Sequence, residues 1–321
     1  MQNFSLPLLT VVVPVYNTES YLIKCLDSLV YQTYKNIEIL IINDFSQDNS
    51  ERIILQYAKN HSNIKYIKNE ENFGVGYCRK IGAEKASGEI IGYIDSDDWV
   101  ELDFYERLIY ALVNNQSDIA IGSVITEYNN FISEKPRYTI RYDDVISGDY
   151  ALKIMTKFYK QNFDISPNMN NRIYTKKLLV DNNVCNDFSK QAQDNYSSFM
   201  AFVNSEKVSL VANTFYHYYQ REGSAVHSFS ERYINNYFNV LEHIKEDLDI
   251  LGIFSKYKDI YMSFIDRSLI WIFQCMSASN SDSKMQKLAI KTICKRCINI
   301  FTVEEYIDYF DTNRFYKFFA L

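Results

Sequence analysis

From Leu8 to about residue 125 the chain alternates between unbroken β-branched runs and stretches of helical period. This alternation constrains the fold more than any other feature. Leu8–Val15 is a continuous aliphatic run, the pattern of a strand buried on both faces. Tyr21, Leu22, Cys25, Leu26, Leu29 and Val30 then recur at helical spacing. Ile37–Ile42, Ile64–Ile67, Ile90–Ile94 and Ile119–Val124 read as further strands. Between them, Ile53, Ile54, Tyr57 and Ala58 mark a helix with Asp48 and Ser50 as caps. Val75, Cys78, Gly82, Ala83 and Ala86 line another that Gly88 can end, and Tyr105–Val113 forms a third. The implied fold is α/β, a mostly parallel sheet flanked by helices. Ligands in such sheets bind beyond the carboxyl ends of the strands, which here means Val15–Glu19, Asn43–Ser46 and Asp95–Trp99.

Three regions follow from the pattern. Residues 1–125 carry the alternation; 126–228 are less regular, broken by Pro136 and Pro167; 229–321 are helical. In the last, Tyr237, Leu241, Ile244, Leu248 and Leu251 form a stripe that stops at Gly252. Ile260–Met276 and Met285–Phe301 continue it, and Thr302 with Glu305 makes a capping box for a final helix. A length of 321 residues suits about two domains. A net charge of −6 argues against a general nucleic-acid binder, whose phosphate contacts need clustered Lys and Arg. No run approaches the roughly 18 apolar residues of a membrane span, and MQNFSLPLLTVVV lacks the basic start of a signal peptide. The six scattered cysteines read as reduced thiols, so the expected location is cytoplasmic.

The chemistry concentrates at Gly92-Tyr93-Ile94-Asp95-Ser96-Asp97-Asp98-Trp99. Three carboxylates within four residues repel one another unless a counter-charge is supplied. The natural one is a divalent cation with oxygen ligands; Mg²⁺ or Mn²⁺ takes one or two carboxylates and completes its shell with water and phosphate. The plain alternative is a set of turn and cap residues before a helix. Five of the nine glycines (Gly74, Gly76, Gly82, Gly88 and Gly92) lead up to this cluster and allow close backbone or ligand approach. Arg79 lies one turn into the intervening helix, where it is either a solvated residue or a clamp on a diphosphate. Asp44, at the exit of the second strand, is either an Asx turn or an acceptor for a uracil imide or ribose hydroxyl.

Taken in order, Val11-Val12-Val13-Pro14-Val15-Tyr16-Asn17, Gln32-Thr33-Tyr34, Asn43-Asp44-Phe45-Ser46, Asn72-Phe73-Gly74-Val75, Gly88-Glu89-Ile90 and Asp95-Ser96-Asp97-Asp98-Trp99 resemble the inverting family 2 glycosyltransferases of the GT-A fold. The nearest type is the bacterial enzymes that build lipooligosaccharide, capsule or other surface glycans. The likeness is strong over about 125 residues. It continues weakly through Asn171-Arg172-Ile173-Tyr174 and Gln193-Asp194 to Tyr216–Ser224. It implies that Pro14, Tyr16, Asn17 and Glu19 pack around the nucleotide base, that Asp44 reads uracil, and that Arg79 lies near base and phosphates. Asp95 and Asp97 match the DxD acids, Asp97 binding the metal and Asp95 lying near ribose and metal shell, with Ser96 between them. Asp194 matches the catalytic base, and Arg221 a phosphate contact. The cofactor implied is Mn²⁺ or Mg²⁺, the donor a UDP-sugar, and the acceptor an oligosaccharide or lipid-linked glycan. Two departures stand out: Phe45 where relatives usually carry Gly, and Gln193 where they usually carry Glu.

The expected reaction is a single in-line displacement. A cation neutralises the departing diphosphate and Asp194 takes the proton of the acceptor hydroxyl. No second carboxylate is at hand for a covalent route. A catalytically inactive scaffold of the same fold is the alternative that Gln193 and Phe45 suggest. A nucleotidyltransferase fits less well, because Val15–Glu19 is neither Gly-rich nor basic. Cys294 and Cys297 lack the second ligand pair of a zinc site and read as core thiols; His217, inside a shared motif, reads as a structural or surface histidine rather than one that faces the site or contacts the metal. Arg314–Leu321, aromatic with two cations, suits either peripheral contact with the inner membrane surface or docking on its own domain.

Overall fold

The first strand, β1 (Leu9–Val15), is buried along its whole length, and the sheet grows outward from it. In this computed structural model residues 6–128, 131–132, 138–157, 164–185, 192–220, 230–278 and 283–300 are described. After β1 come α1 (Leu22–Val30), β2 (Ile37–Asn43), α2 (Ser50–Asn60), β3 (Ile64–Lys68), α3 (Val75–Lys85), β4 (Ile90–Tyr93), β5 (Trp99–Val100) and α4 (Phe104–Asn115). Then follow β6 (Ile119–Tyr128), β7 (Phe131–Ile132), β8 (Asp144–Ser147), α5 (Gly148–Met155), β9 (Arg172–Thr175), α6 (Lys176–Asp181), α7 (Gln193–Val203) and β10 (Lys207–Tyr219). The strands form one sheet in the order β3-β2-β1-β4-β9-β6-β10-β5, with β7 on β6 and β8 on β10.

The sheet is mixed rather than mostly parallel. β1 pairs in parallel with β2 and β4, β2 with β3, and β6 with β10. β9 is wedged antiparallel between β4 and β6, while β5 and β8 run antiparallel to β10. Because β9 opposes both its neighbours, β4 and β6 still point the same way. The alternation of the first 125 residues therefore survives in direction, though not in adjacency.

One face of the sheet packs Leu9, Val11 and Val13 of β1 against Leu22, Leu26 and Leu29 of α1 and Phe104, Leu108 and Leu112 of α4. On the other face α3 lies so close that a Cβ on Gly82 would meet Val12 Cγ1 at 2.3 Å. A Cβ on Gly88 would sit 2.5 Å from the Leu8 carbonyl oxygen. Gly88 thus serves approach to β1 rather than ending α3, whose C-cap is Ala86. Ser50 N–H donates to Asp48 Oδ1 at 3.0 Å, while Asn49 is the N-cap of α2.

The chain divides into two compact units, residues 1–155 with 160–222 and residues 156–159 with 223–321. The second contains α8 (Glu231–Ile250), α9 (Phe254–Ala278) and α10 (Ser283–Ile300). α8 is capped by Ser230, whose side chain accepts from Tyr233 N–H at 3.2 Å. It buries Ile234, Phe238, Leu241, Ile244 and Leu248, whereas Leu251 is exposed. Cys294 is exposed, which corrects its reading as a core thiol, while Cys297, one turn after buried Ile293, is half-buried beside the apolar stripe of α10. Arg221, the Thr302–Glu305 box and Arg314–Leu321 lie outside the described residues. Among the described residues no helix is long and apolar enough to cross a membrane.

Gly82→Val is expected to destabilise the fold by about 1–3 kcal/mol, since the β-branched chain must displace Val12 or lift α3 from the sheet. Urea unfolding measures this, and an unchanged midpoint would show that α3 does not rest on β1 as described.

Candidate active site

Three loops meet at the carboxyl ends of β1, β2 and β4. The first two are stitched to one another. Asn17, left-handed at φ 51, donates its N–H to Ser46 Oγ at 3.1 Å and accepts from Gln47 N–H on Oδ1 at 2.8 Å. Glu19 N–H donates to Asp48 Oδ2 at 2.9 Å, and Glu19 Oε2 accepts from Asn49 N–H at 2.7 Å. Pro14 is buried in β1 opposite Ile42. Asn17, Glu19 and Pro14 therefore build the loop scaffold, and Tyr16, 46% exposed, is the side chain they present.

Asp44 organises the entrance to α3. Its Oδ1 accepts from Asn69 Nδ2 at 2.8 Å and Phe73 N–H at 3.0 Å, and its Oδ2 accepts from Gly74 N–H at 2.7 Å. Gly74 has φ 94, open to glycine and strained for other residues. Phe45 has φ 67, so the glycine-like turn is kept although the residue is Phe. The backbone pays a small steric penalty there, and the ring stands 40% exposed beside Asp44.

α3 links this loop to the acid corner. Arg79 is 2% exposed; Nη2 donates to Asp95 Oδ1 at 2.9 Å, and Nη1 donates to Asp194 Oδ1 and to Gln193 Oε1, the latter at 3.3 Å. The two carboxylates are part-open, with side-chain exposures of 31% for Asp95 and 24% for Asp194. Burial pushes the Asp194 carboxyl up from its ordinary range, while Arg79 pulls it back. The structure thus brings Asp194 to Asp95, which spacing alone did not. It places Arg79 between them rather than open to a diphosphate.

Around the rest of the corner, Asn170 is a residue that the sequence did not single out, and Tyr216 has a part that its motif did not announce. Asn170 Nδ2 donates to Asp95 Oδ2 at 2.7 Å and to Tyr216 Oη at 3.0 Å. Tyr216 Oη accepts from Asp95 N–H at 3.2 Å and donates to Asp98 Oδ2. Asp98 also accepts from Tyr219 N–H at 2.8 Å. Burial, then Asp97 and Asp95, push the Asp98 carboxyl well above its ordinary range, while Tyr216 and the Tyr219 amide pull it back. Ser96 Oγ accepts from Thr18 Oγ1 at 3.0 Å. Asn170 sits in the irregular region, where no periodicity marks it. Tyr216 is one of many tyrosines.

Asp95 and Asp97, both part-exposed and two residues apart, offer hard oxygen donors. Among the described residues no group of three or more His, Cys, Asp and Glu forms a cage for an ion. That donor set fits Mg²⁺ or Mn²⁺, which needs one or two carboxylates when phosphate completes the shell.

Beside the corner, Trp99 stacks on His217 with ring centroids 3.5 Å apart, Lys24 Nζ lies 4.4 Å from its ring, and Trp99 Nε1 donates to Glu127 Oε2 at 2.6 Å. His217 Nδ1 is 3.3 Å from Glu127 Oε1. Burial lowers the His217 pKa to about 4 in spite of Glu127. Burial alone would raise Glu127, but hydrogen bonds from Trp99 and Lys24 hold it below its ordinary value. His217 is therefore a neutral, structural ring.

The loops after β1, β2 and β4, with Asp44, Asp95 and Asp97, fall within residues 10–180, which match the profile described as Glycosyl transferase family 2; Asp194 lies beyond that stretch. The chain belongs to that family. Among curated relatives, Glycosyltransferase GlyA of Streptococcus pneumoniae is 33% identical over 236 residues, 71% of this chain and 32% of that protein. Poly(ribitol-phosphate) beta-glucosyltransferase of Bacillus spizizenii is 29% identical over 243 residues, 74% of this chain and 36% of that protein. This chain thus spans about a third of the length of these relatives. The crystal structure of S. aureus TarS with UDP superposes with a TM-score of 0.62 at 22% identity, over 81% of this chain and 71% of that one. The TarS complex with UDP-GlcNAc gives 0.60 at 19%, over 92% and 90%. At that identity the match establishes the shared GT-A fold.

Since folded His217 titrates near 4 and an unfolded histidine near 6.5, the unfolded chain binds the extra proton between those values. Stability is then lost as pH falls from about 6.5 to about 4, by at most about 3 kcal/mol from this residue. His217→Phe keeps a ring on Trp99 and should flatten that part of the profile; denaturant unfolding at stepped pH, with identical slopes in both proteins, would contradict it.

Proposed function

We propose that the chain is an inverting, divalent-cation-dependent glycosyltransferase that moves a hexose or N-acetylhexosamine from a UDP-sugar onto a bacterial surface glycan. The observation that carries this reading is the single guanidinium of Arg79 shared by Asp95 and Asp194, a donor-side acid and a part-open carboxylate from a helix about a hundred residues away. The TarS complexes with UDP and UDP-GlcNAc support a UDP-sugar donor. The relative named for glucosyl transfer to poly(ribitol-phosphate) supports a surface-glycan acceptor, free or lipid-linked.

In this reading Tyr16 and Asp44 bracket the base, the first as an exposed ring and the second through the loop it orders. Asp97 and Asp95 would hold the cation, which when bound would supply Lewis-acid neutralisation of the leaving diphosphate. Asp194 receives the proton of the acceptor hydroxyl on the oxygen facing the open side of the corner. One base and one displacement give inversion at the anomeric carbon. Arg221, in the segment after β10, is assigned to the diphosphate on the resemblance alone.

Release of UDP from UDP-glucose, UDP-galactose and UDP-GlcNAc, each with manganese and a glycan acceptor, tests the reading. Asp194→Asn should lower kcat by about 10³-fold while leaving UDP affinity within about threefold. Chelation should abolish wild-type turnover, and added Mn²⁺ or Mg²⁺ should restore it. Wild-type turnover by Asp194→Asn, or full activity in chelator, would refute the corresponding assignment.

A further inference from the structure

We propose that Arg79 is a positioning residue for the candidate base, setting the distance and orientation of Asp194 relative to Asp95, and not a ligand of the donor diphosphate. The inference rests on the reading of Asp194 as the base. The resemblance puts this arginine near the base and phosphates of the nucleotide, but its guanidinium is 2% exposed and both terminal nitrogens are committed. Nη2 serves Asp95 at the exit of β4; Nη1 serves Asp194 and Gln193 in the first turn of α7. A planar fork with one prong on each element fixes the gap between them in a way that a point charge cannot.

Three further observations agree. Ala192, just before α7, is left-handed at φ 60, a conformation that a residue with a Cβ keeps only when its surroundings hold it. The shared guanidinium anchors the two residues that follow. Gln193 offers Arg79 an oxygen without a charge, so the guanidinium faces two carboxylates rather than three, and its Nε2 donates to Ser197 Oγ at 3.0 Å, which fixes the amide. Arg172, the other buried cation whose field reaches Asp194, donates instead to Ser166 O and Asn171 Oδ1. It contributes charge there while Arg79 sets the orientation.

The test compares Arg79→Gln, Arg79→Lys, Asp194→Asn and the double variant Arg79→Gln/Asp194→Asn. Mn²⁺–UDP affinity is measured by calorimetry and kcat by UDP release. Because Arg79→Gln leaves two part-buried carboxylates without their shared cation, the double variant and Arg79→Lys, which keep the charges closer to balance, carry the test if the first fails to fold. Positioning predicts UDP affinity within about threefold of wild type in every folded variant. It also predicts kcat lowered by about 10–100-fold in Arg79→Lys and more in Arg79→Gln, with the double variant no slower than Asp194→Asn within about threefold, because Arg79 acts through Asp194. A tenfold or larger loss of UDP affinity in Arg79→Lys with kcat retained would overturn the proposal in favour of a diphosphate clamp. So would a double variant whose loss is the product of the two single losses. Wild-type turnover in Asp194→Asn would instead defeat the base assignment itself, whereas an inactive Asp194→Asn beside a fully active Arg79→Lys would defeat only the positioning role.

Discussion

A guanidinium withdrawn from water is tolerable only when its charge is met, and Arg79 is met by Asp95 on one side and Asp194 on the other. Much else in the site exists to hold that arrangement. Gly82 lets α3 lie against β1, which brings Arg79 to the exit of β4. Asp44 pins the start of the same helix through Phe73 and Gly74. Asn170 and Tyr216 take the remaining side of Asp95, so the acid is gripped from three elements before any ligand arrives. Removing one partner of such a pair costs more than the pair contributes, because a buried charge is left behind.

The acid corner divides its labour by burial. Asp98, buried and lodged against Tyr216 and the Tyr219 amide, acts as a structural link to β10. Asp95 and Asp97 stay part-open, where carboxylates can meet a cation and phosphate. The shift in register of β10 between Leu210 and Phe215, with Asn213 at φ 53, brings Tyr216 opposite Val100 and so to this corner. Bulges of this kind are common beside active sites because they re-aim a side chain.

How much of this was legible in the sequence varies with the physics behind each feature. β1, β2, β3 and β4 could be read because burial on both faces leaves unbroken aliphatic runs. The place of β9 could not, since four residues, Arg172–Thr175, carry too short a pattern and their partners lie more than fifty positions away. Asp95, Asp97 and Asp44 announced themselves by charge at strand exits. The role of Arg79 did not, because a lone arginine on a helix reads as solvated until its burial is known. Asn170 had no periodic or electrostatic mark at all. Phe45 stands where relatives usually carry Gly, yet the backbone keeps the left-handed angle and accepts the strain. Asn17 and Glu19, expected at the nucleotide, spend their polar groups on the loop that presents Tyr16.

The central claim is that the acids beyond β4 hold the pyrophosphate of an activated sugar through a cation, with Asp194 on the same side. A crystal structure with Mn²⁺ and UDP tests it most directly. The account predicts an anomalous manganese peak at Asp95 and Asp97 with UDP beside it, and Asp194 turned to the same cleft. Manganese and UDP seated elsewhere on the chain, with Asp95 and Asp97 unengaged, would contradict it.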